Sequence, residues 1–155
     1  QRVQALSRDI EDIECKLALW KKEDAAAKRL MAIPGVGLLT ATAAVATIGD
    51  AKVFKNGRQF AAFLGLVPRQ AGTGGKVRLF GISKRGDTYL RKLLIHGARS
   101  VITHQKARAP WLEQLLARRP FNAAVVALAN KMARTIWALL AHDRTYQNGV
   151  TAQAA

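Results

Sequence analysis

The chain has 155 residues, of which 50% are apolar, and it carries a formal charge of +15. These apolar residues are enough to form the buried core of one domain, which excludes a disordered tail. The aromatic fraction of only 6% favours helices over a β-sandwich. The single cysteine, Cys15, excludes an intrachain disulfide and predicts a reducing, cytoplasmic compartment.

The positive charge is concentrated in the middle of the chain. Residues 52–119 contain 15 Lys or Arg against 2 Asp or Glu, whereas residues 1–51 contain 7 of each. Such a block favours binding to a polyanion, because each neutralised phosphate releases counterions. The sequence therefore predicts a nucleic-acid partner, with a solvated basic surface as the alternative. No membrane partner is expected, because no apolar run approaches roughly 18 residues and no signal peptide leads the chain.

The first segment, residues 1–28, is predicted to be a coiled-coil arm. Its apolar residues alternate spacings of three and four and form a three-heptad seam: Val3, Leu6, Ile10, Ile13, Leu17 and Trp20. The seam predicts pairing with another helix, in this chain or in a second copy, with one face of a globular helix as the alternative. Four acidic residues lie off the seam and are interpreted as solvated charges rather than metal ligands: Asp9, Glu11, Asp12 and Glu14.

The segment "RLMAIPGVGLLTATAAVATIGD" (residues 29–50) predicts two helices separated by a tight turn. A helix from about Asp24 to Ala32 meets Pro34, and a second helix runs from Leu38 to Ile48. The turn resembles the helix-hairpin-helix motif of DNA-binding proteins, in residues 29–48. Its two glycines allow close backbone approach, and free N–H groups at a helix start can hold a phosphate. A tight helix-helix turn without a ligand is the alternative.

Residues 50–80 predict a short helix and then a β-hairpin. Asp50 caps a turn, and the helix after it carries Phe60 and Phe63, interpreted as core rather than as base-stacking residues. After this helix, two predicted strands, residues 66–70 and 76–80, flank the loop "AGTGG". Alternation of Lys76 and Arg78 with Val77 and Leu79 is typical of a hairpin with one basic face.

The remaining sequence predicts three further helices. A long one starts near Asp87, a short one opens at Pro110, and residues 121–140 form a final core helix. Residues 147–155 are expected to fray. The predicted fold is a mainly helical domain (residues 29–146) with one β-hairpin insert, preceded by the coiled-coil arm. Three basic residues of the long helix are expected on its outer faces: Arg91, Lys92 and Arg99.

Ser83 is the candidate for chemistry, in the stretch "KVRLFGISKRGDTYLRKLL" (residues 76–94). Ser7 lies on the arm and Ser100 inside the long helix, so Ser83 is expected to be the serine that a ligand reaches easily. Nearby cations could stabilise charge growing on a pentacoordinate phosphorus: Arg78, Lys84 and Arg85. Local chemistry leaves a nucleophile and a helix cap equally open, with Asp87 as a competing cap.

Hydrolase and metal chemistry are not expected here. No Ser/His/Asp order surrounds Ser83, and His96 and His104 are expected to lie one buried and one at the surface, without a third metal ligand. No metal and no cofactor are predicted in this chain. The predicted nucleic-acid backbone clamp consists of Gly35, Val36, Gly37, Lys76 and Arg91.

Two motifs carry a family resemblance: "IPGVGLLTATAAVATIGD" and "FAAFLGLVPRQAGTGGKVRLFGISKRGDTYLRKLLIHGARSV". Over about residues 30–146 the chain resembles the C-terminal domain of insertion-sequence transposases of the IS110 and IS1111 group, the DEDD transposases also called bridge-RNA-guided recombinases. The resemblance implies that Ser83 is the catalytic serine and that residues 3–20 match a coiled-coil linker.

The resemblance also implies parts that this sequence does not contain. Such enzymes have an N-terminal RuvC-like domain whose four acidic residues hold divalent metal (Mg²⁺), and they assemble as dimers or tetramers on DNA with a structured guide RNA. The acidic residues of the arm do not replace that domain. The chain begins with Gln1 rather than Met, so we expect a piece of a longer protein that binds nucleic acid but does not recombine DNA alone. A non-catalytic helix-hairpin-helix module that only holds nucleic acid is the alternative function.

Overall fold

The computed structural model describes residues 2–147, and the fold is mainly helical with one two-stranded antiparallel sheet in that range. Seven helices and two strands follow in chain order: α1 (Arg2–Glu23), α2 (Ala25–Leu30), α3 (Leu38–Ile48), α4 (Gly57–Phe63), β1 (Pro68–Thr73), β2 (Lys76–Ile82), α5 (Thr88–His104), α6 (Pro110–Arg118) and α7 (Phe121–Ala141). A 3₁₀ turn, Ala51–Val53, precedes α4. The predicted mainly helical fold and hairpin insert are confirmed, while the predicted frayed tail falls almost wholly outside the described residues.

Short polar side chains fix where several helices begin. Asp24 accepts hydrogen bonds from the N–H groups of Ala26 and Ala27 at the start of α2. Asp50 caps the 3₁₀ turn in the same way, as predicted, and Asn56 caps α4. These carboxylate and amide oxygens satisfy donors that have no partner inside their own helix.

The core is built around α7, which packs mainly against α5 and α4. Eight residues of α7 are buried: Ala124, Val125, Leu128, Ala129, Met132, Ala133, Ile136 and Leu139. Helix α4 contributes Phe60, which is fully buried, whereas Phe63 is 43% exposed and only partly fits the predicted core position. Core residues begin at Ala27, which lies inside the segment predicted as the arm.

One prediction about membranes needs correction. By length and composition, α7 is apolar enough to cross a membrane, since an 18-residue window of it has a mean hydropathy of 1.3. Lys131 and Arg134 interrupt the apolar run in the sequence, but they do not lower its mean hydropathy enough to exclude a membrane span. The core helix of a soluble protein can have the same length and hydropathy. Helix α7 packs in the core of this domain.

Helix α1 contributes no buried residue to the core. Its seam residues Val3, Ile10 and Ile13 are 76%, 57% and 57% exposed. Such a row of exposed apolar side chains along a 22-residue helix is typical of a helix that pairs with another. Pairing itself stays a prediction.

The hairpin stands outside the core. All residues of β1 and all but the last of β2 are exposed. Its tip is Gly74-Gly75, and both residues have positive φ (62° and 80°), the backbone of a tight two-residue hairpin turn. Strand β1 begins two residues and ends three residues later than predicted, because the loop is two residues long rather than five. Strand β2 begins at Lys76, as predicted, and ends two residues later than predicted, at Ile82.

Candidate nucleic-acid interface

Ser83 lies in a short loop between β2 and α5, and backbone hydrogen bonds hold that loop in place. The Ser83 N–H donates to the Val67 carbonyl at 2.8 Å, and the Lys84 N–H donates to the Gly65 carbonyl at 3.1 Å. Both acceptors belong to the segment between α4 and β1. The loop therefore has a fixed path, although it contains no helix or strand.

Two glycines make this packing possible. A β-carbon on Gly86 would lie 1.7 Å from the Phe63 carbonyl oxygen, and one on Gly65 would lie 2.2 Å from the Arg85 carbonyl oxygen. Lys84 adopts φ 56°, a backbone conformation that costs free energy for any residue other than glycine and persists only where neighbouring residues impose it. Sequence reasoning noticed Gly86 but missed Gly65, since nothing in the spacing shows that the two segments meet.

The structure settles the question of the helix cap. Helix α5 begins at Thr88, and Asp87 caps it by accepting a hydrogen bond from the Leu90 N–H at 2.8 Å. The Ser83 hydroxyl lies outside the helix and accepts only a long contact from the Arg85 N–H, 3.4 Å. Capping therefore does not explain this serine.

Ser83 was expected to be the serine that a ligand reaches easily, and this expectation is wrong. Ser7 and Ser100 are both exposed, whereas Ser83 is half-buried. Ser7 lies on the arm, where its hydroxyl donates to the Val3 carbonyl at 3.0 Å. What distinguishes Ser83 is its fixed loop and its basic neighbours rather than its exposure.

The cations around Ser83 are at the surface. Lys84 and Arg85 are exposed beside it in the loop, and Lys76 and Arg78 are exposed on β2. Among residues 2–147, the two ion pairs involve Arg29 with Asp143 and Arg108 with Glu113, neither of which belongs to this region. The positive charges of the loop and the hairpin are therefore free to meet an anion.

Arg91 was expected on an outer face, and this expectation is wrong. Arg91 is only 7% exposed. Its guanidinium donates to the carbonyls of Leu64 (3.0 Å) and Arg85 (3.1 Å) and to the Thr88 hydroxyl (3.2 Å). Arg91 thus ties the Ser83 loop to the end of α4 from inside the protein and does not offer its charge to a ligand at the surface.

The predicted clamp turn lies between α2 and α3, and its residues have different surroundings. Gly35 has φ 85°, and a β-carbon there would come within 2.8 Å of the Gly97 carbonyl oxygen on α5. Val36 is buried. Gly37, which precedes α3, has nothing within 4 Å of a built β-carbon, and no side chain caps this helix. Gly35 therefore serves helix packing, while Gly37 and the first N–H groups of α3 remain open.

An open groove of about 1080 Å³ lies beside this turn. Its walls are the turn, the middle of α5 around Gly97 and Ser100, and part of α1. Glu11 and Glu14 of α1 line it. Two carboxylates at this edge disfavour a phosphate as long as α1 keeps this position, so the groove supports a nucleic-acid clamp less well than the Ser83 region does.

The histidines of α5 were expected to differ in burial, and this is also wrong. His96 and His104 are both exposed. The Nδ1 atom of His104 lies 3.0 Å from the Ser100 carbonyl oxygen. Among residues 2–147, no group of three or more His, Cys, Asp or Glu side chains is placed to hold a metal ion.

A family model for transposases of the IS116/IS110/IS902 family matches residues 27–112. The matched range includes most of α2 and all of α3, the hairpin, the Ser83 loop and α5. The chain belongs to this transposase family.

Curated relatives agree with the family assignment. The chain is 52% identical over 151 residues to a "Probable family 20 transposase" of Pseudomonas aeruginosa, and the match covers 95% of the chain and 45% of that protein. It is 49% identical to "Transposase for insertion sequence element IS1111A" of Coxiella burnetii, covering 93% and 41%. A transposase for IS1328 of Yersinia enterocolitica is 45% identical, covering 85% and 41%. The chain thus spans less than half the length of these transposase-family relatives.

Proposed function

We propose that this chain is the serine-bearing C-terminal part of an insertion-sequence transposase, which binds DNA and a structured guide RNA and supplies Ser83 as the nucleophile for strand cleavage and rejoining. The observation that carries the proposal is the Ser83 loop: a serine that caps no helix, held by backbone hydrogen bonds and followed by two exposed cations. Membership of the transposase family supports DNA, a polyanion, as the substrate of this loop.

The proposed chemistry is a transesterification at phosphorus. The Ser83 hydroxyl loses its proton to a base, and its oxygen forms a bond to phosphorus while the bond from phosphorus to one sugar oxygen breaks. The sugar oxygen leaves with a proton, and the strand stays linked to Ser83 through a phosphodiester. Attack of a strand hydroxyl on this link reverses the exchange, so strands are rejoined without ATP.

The cations have separate roles in this proposal. Lys84 and Arg85 adjoin Ser83 and stabilise the negative charge that grows on the phosphoryl oxygens. Arg78 is five residues away, about 17 Å along an extended strand. We therefore assign Arg78, together with Lys76, to neighbouring phosphates of the same strand rather than to the one that reacts.

The base and the metal are assigned to a part of the protein outside this chain. We place the divalent metal, Mg²⁺, in a RuvC-like domain outside these 155 residues. Among the described residues, no group of three or more His, Cys, Asp or Glu side chains is arranged to hold a metal ion. The exposed seam of α1 supports assembly as a homo-oligomer, dimer or tetramer, which brings the two domains of different copies together. We expect the protein to act in the cytoplasm on chromosomal or element DNA.

A covalent adduct tests the proposal. The complete transposase is incubated with its element DNA, denatured and digested, and peptide mass spectrometry searches for a nucleotide attached to Ser83. We expect the adduct in the wild type and in Ser100→Ala, and neither adduct nor recombination in Ser83→Ala, which should still bind DNA. Normal recombination by Ser83→Ala would refute the nucleophile.

A non-catalytic nucleic-acid-binding module is the second candidate. It is favoured by the uncapped start of α3 after Gly37, where N–H groups are available to a phosphate. In that case Ser83→Ala retains every activity, while charge reversal at Lys84 and Arg85 weakens binding. The adduct experiment separates the two candidates.

A further inference from the structure

The hairpin presents two chemically different faces. Pairing of Ala71 with Arg78 and of Thr73 with Lys76 places these four residues on one face, and alternation adds Phe80 to it. The same side chains line a shallow groove of about 440 Å³. The face therefore combines two cations and one aromatic ring above small residues of β1.

Packing in the hydrophobic core does not account for the side chain of Phe80. Its side chain is 50% exposed, and it lies outside the hydrophobic core. By contrast, Phe54, Phe60 and Phe63 pack on one another with ring centroids 5.2 to 6.4 Å apart. Among the described residues, no aromatic ring pairs with Phe80. Val77 and Leu79 of the same strand are also exposed, so the hairpin offers solvent three large apolar side chains, a surface typical of a site that a ligand covers.

We propose that Phe80 is a stacking platform for an unpaired base of a DNA or RNA strand, while Arg78 and Lys76 hold the phosphates of that strand. This inference rests on the proposed nucleic-acid function and names the form of the substrate. Charge complementarity selects the ligand, since no acidic residue occurs between Asp50 and Asp87. A duplex surface offers phosphates but hides the faces of its bases, so an exposed ring gains from single strands.

The spacing connects this platform with Ser83. Phe80 and Arg78 are two residues apart, about 7 Å along the strand, so a single nucleotide can stack on the ring and contact the guanidinium. Ser83 follows Phe80 by three residues, about 10 Å further along the chain. The nucleotide next to the reacting phosphate is therefore held unstacked from its own strand.

Binding measurements with the 155-residue chain test the inference. Fluorescence anisotropy compares single-stranded DNA, single-stranded RNA and duplex DNA of equal length. Phe80→Ala and Phe80→Leu are expected to weaken binding to at least one kind of single strand by at least about fivefold, the lower end of the loss of one stacked base. Duplex affinity should stay within about twofold. Phe80→Trp should retain binding, and Leu79→Ala is the control, because Leu79 is also exposed but lies on the opposite face of the hairpin.

The outcomes separate this inference from the proposed function. Loss on DNA alone, on RNA alone or on both supports stacking and identifies the strand. If Phe80→Leu binds with wild-type affinity, the contact at Phe80 is apolar and does not need an aromatic ring. If the losses on single strands and on duplex are equal, Phe80 acts as a wedge into duplex DNA. Either result overturns the inference. If Phe80→Ala binds normally while Arg78→Gln does not, nucleic-acid binding stands without stacking. If the wild type binds no oligonucleotide, both proposals fail.

Discussion

Gly65 lies against the backbone of Arg85 so closely that a β-carbon on Gly65 would be 2.6 Å from the Arg85 nitrogen and 2.2 Å from its carbonyl oxygen. The two residues are 20 positions apart, and their contact joins the end of α4 to the loop that carries Ser83. Because it is made by main chain alone, its geometry depends on the absence of a side chain at Gly65. The position of the proposed nucleophile is therefore set by a glycine that lies on the other side of the hairpin in the sequence.

Gly65→Ala should displace the Ser83 loop. Alanine at φ 69° costs about 1–2 kcal/mol from its backbone conformation alone, and the clash adds to this. We expect the melting temperature to fall by about 6 °C or more. Gly81→Ala is the control, because nothing lies within 4 Å of its built β-carbon. Equal melting temperatures of the two variants would contradict the described packing.

Arg91→Ala should destabilise the fold although it removes a positive charge from a very basic protein. The substitution leaves the Leu64 and Arg85 carbonyls without their charged donor, at an expected cost of about 3 kcal/mol. Urea unfolding followed by circular dichroism measures this loss. Lys92→Ala, at the neighbouring exposed position, should change stability by less than about 0.5 kcal/mol. Equal stability of the two variants would mean that Arg91 faces solvent.

The two glycines of the predicted clamp turn should separate under mutation. Gly35→Ala forces a β-carbon against Gly97 and Val101, so we expect a loss of about 2 kcal/mol or more in urea unfolding. Gly37→Ala meets nothing and should leave stability within about 0.5 kcal/mol. If Gly37→Ala nevertheless weakens nucleic-acid binding, the start of α3 contacts the backbone; unchanged binding would remove it from the interface.

Neutralising the loop cations should alter the salt dependence of nucleic-acid binding. Each phosphate contact contributes about 0.9 to the slope of log affinity against log salt for duplex DNA. Lys84→Gln combined with Arg85→Gln should therefore reduce the slope by about 2. The control is Lys21→Gln with Lys22→Gln, which removes the same charge from α1. An equal reduction in the control would mean that net charge, rather than the loop, governs binding.

The apolar seam of α1 should govern self-association. Ile10→Lys together with Ile13→Lys places two charges among exposed seam residues, so we expect a monomer in multi-angle light scattering where the wild type forms an oligomer. Asp9→Lys with Asp12→Lys, off the seam, should preserve the oligomer. A wild-type chain that is monomeric at high concentration would remove α1 pairing from the account.

Most secondary structure follows from local sequence. The bounds of α3, Leu38 to Ile48, agree with the prediction at both ends, because a glycine before the helix and Gly49 after it mark the boundaries within the segment itself. Pro110 opens α6, and the Gly-Gly tip with alternating strand residues predicted the hairpin. The family resemblance was likewise visible in contiguous motifs and was confirmed at the level of the transposase family.

The sequence by itself thus determined the helical class, the hairpin, the basic centre of the chain and the family, all of which depend on residues close together in the chain. Tertiary structure alone decided that Arg91 points inward, that His96 lies at the surface, that Gly35 packs on Gly97 and that Gly65 positions the Ser83 loop. Each of these depends on contacts between segments remote in sequence, where residue type fixes neither the neighbour nor the direction of a side chain. Ser83 illustrates both cases: its motif predicted a nucleophile or a helix cap, and the folded structure shows that Asp87 is the cap.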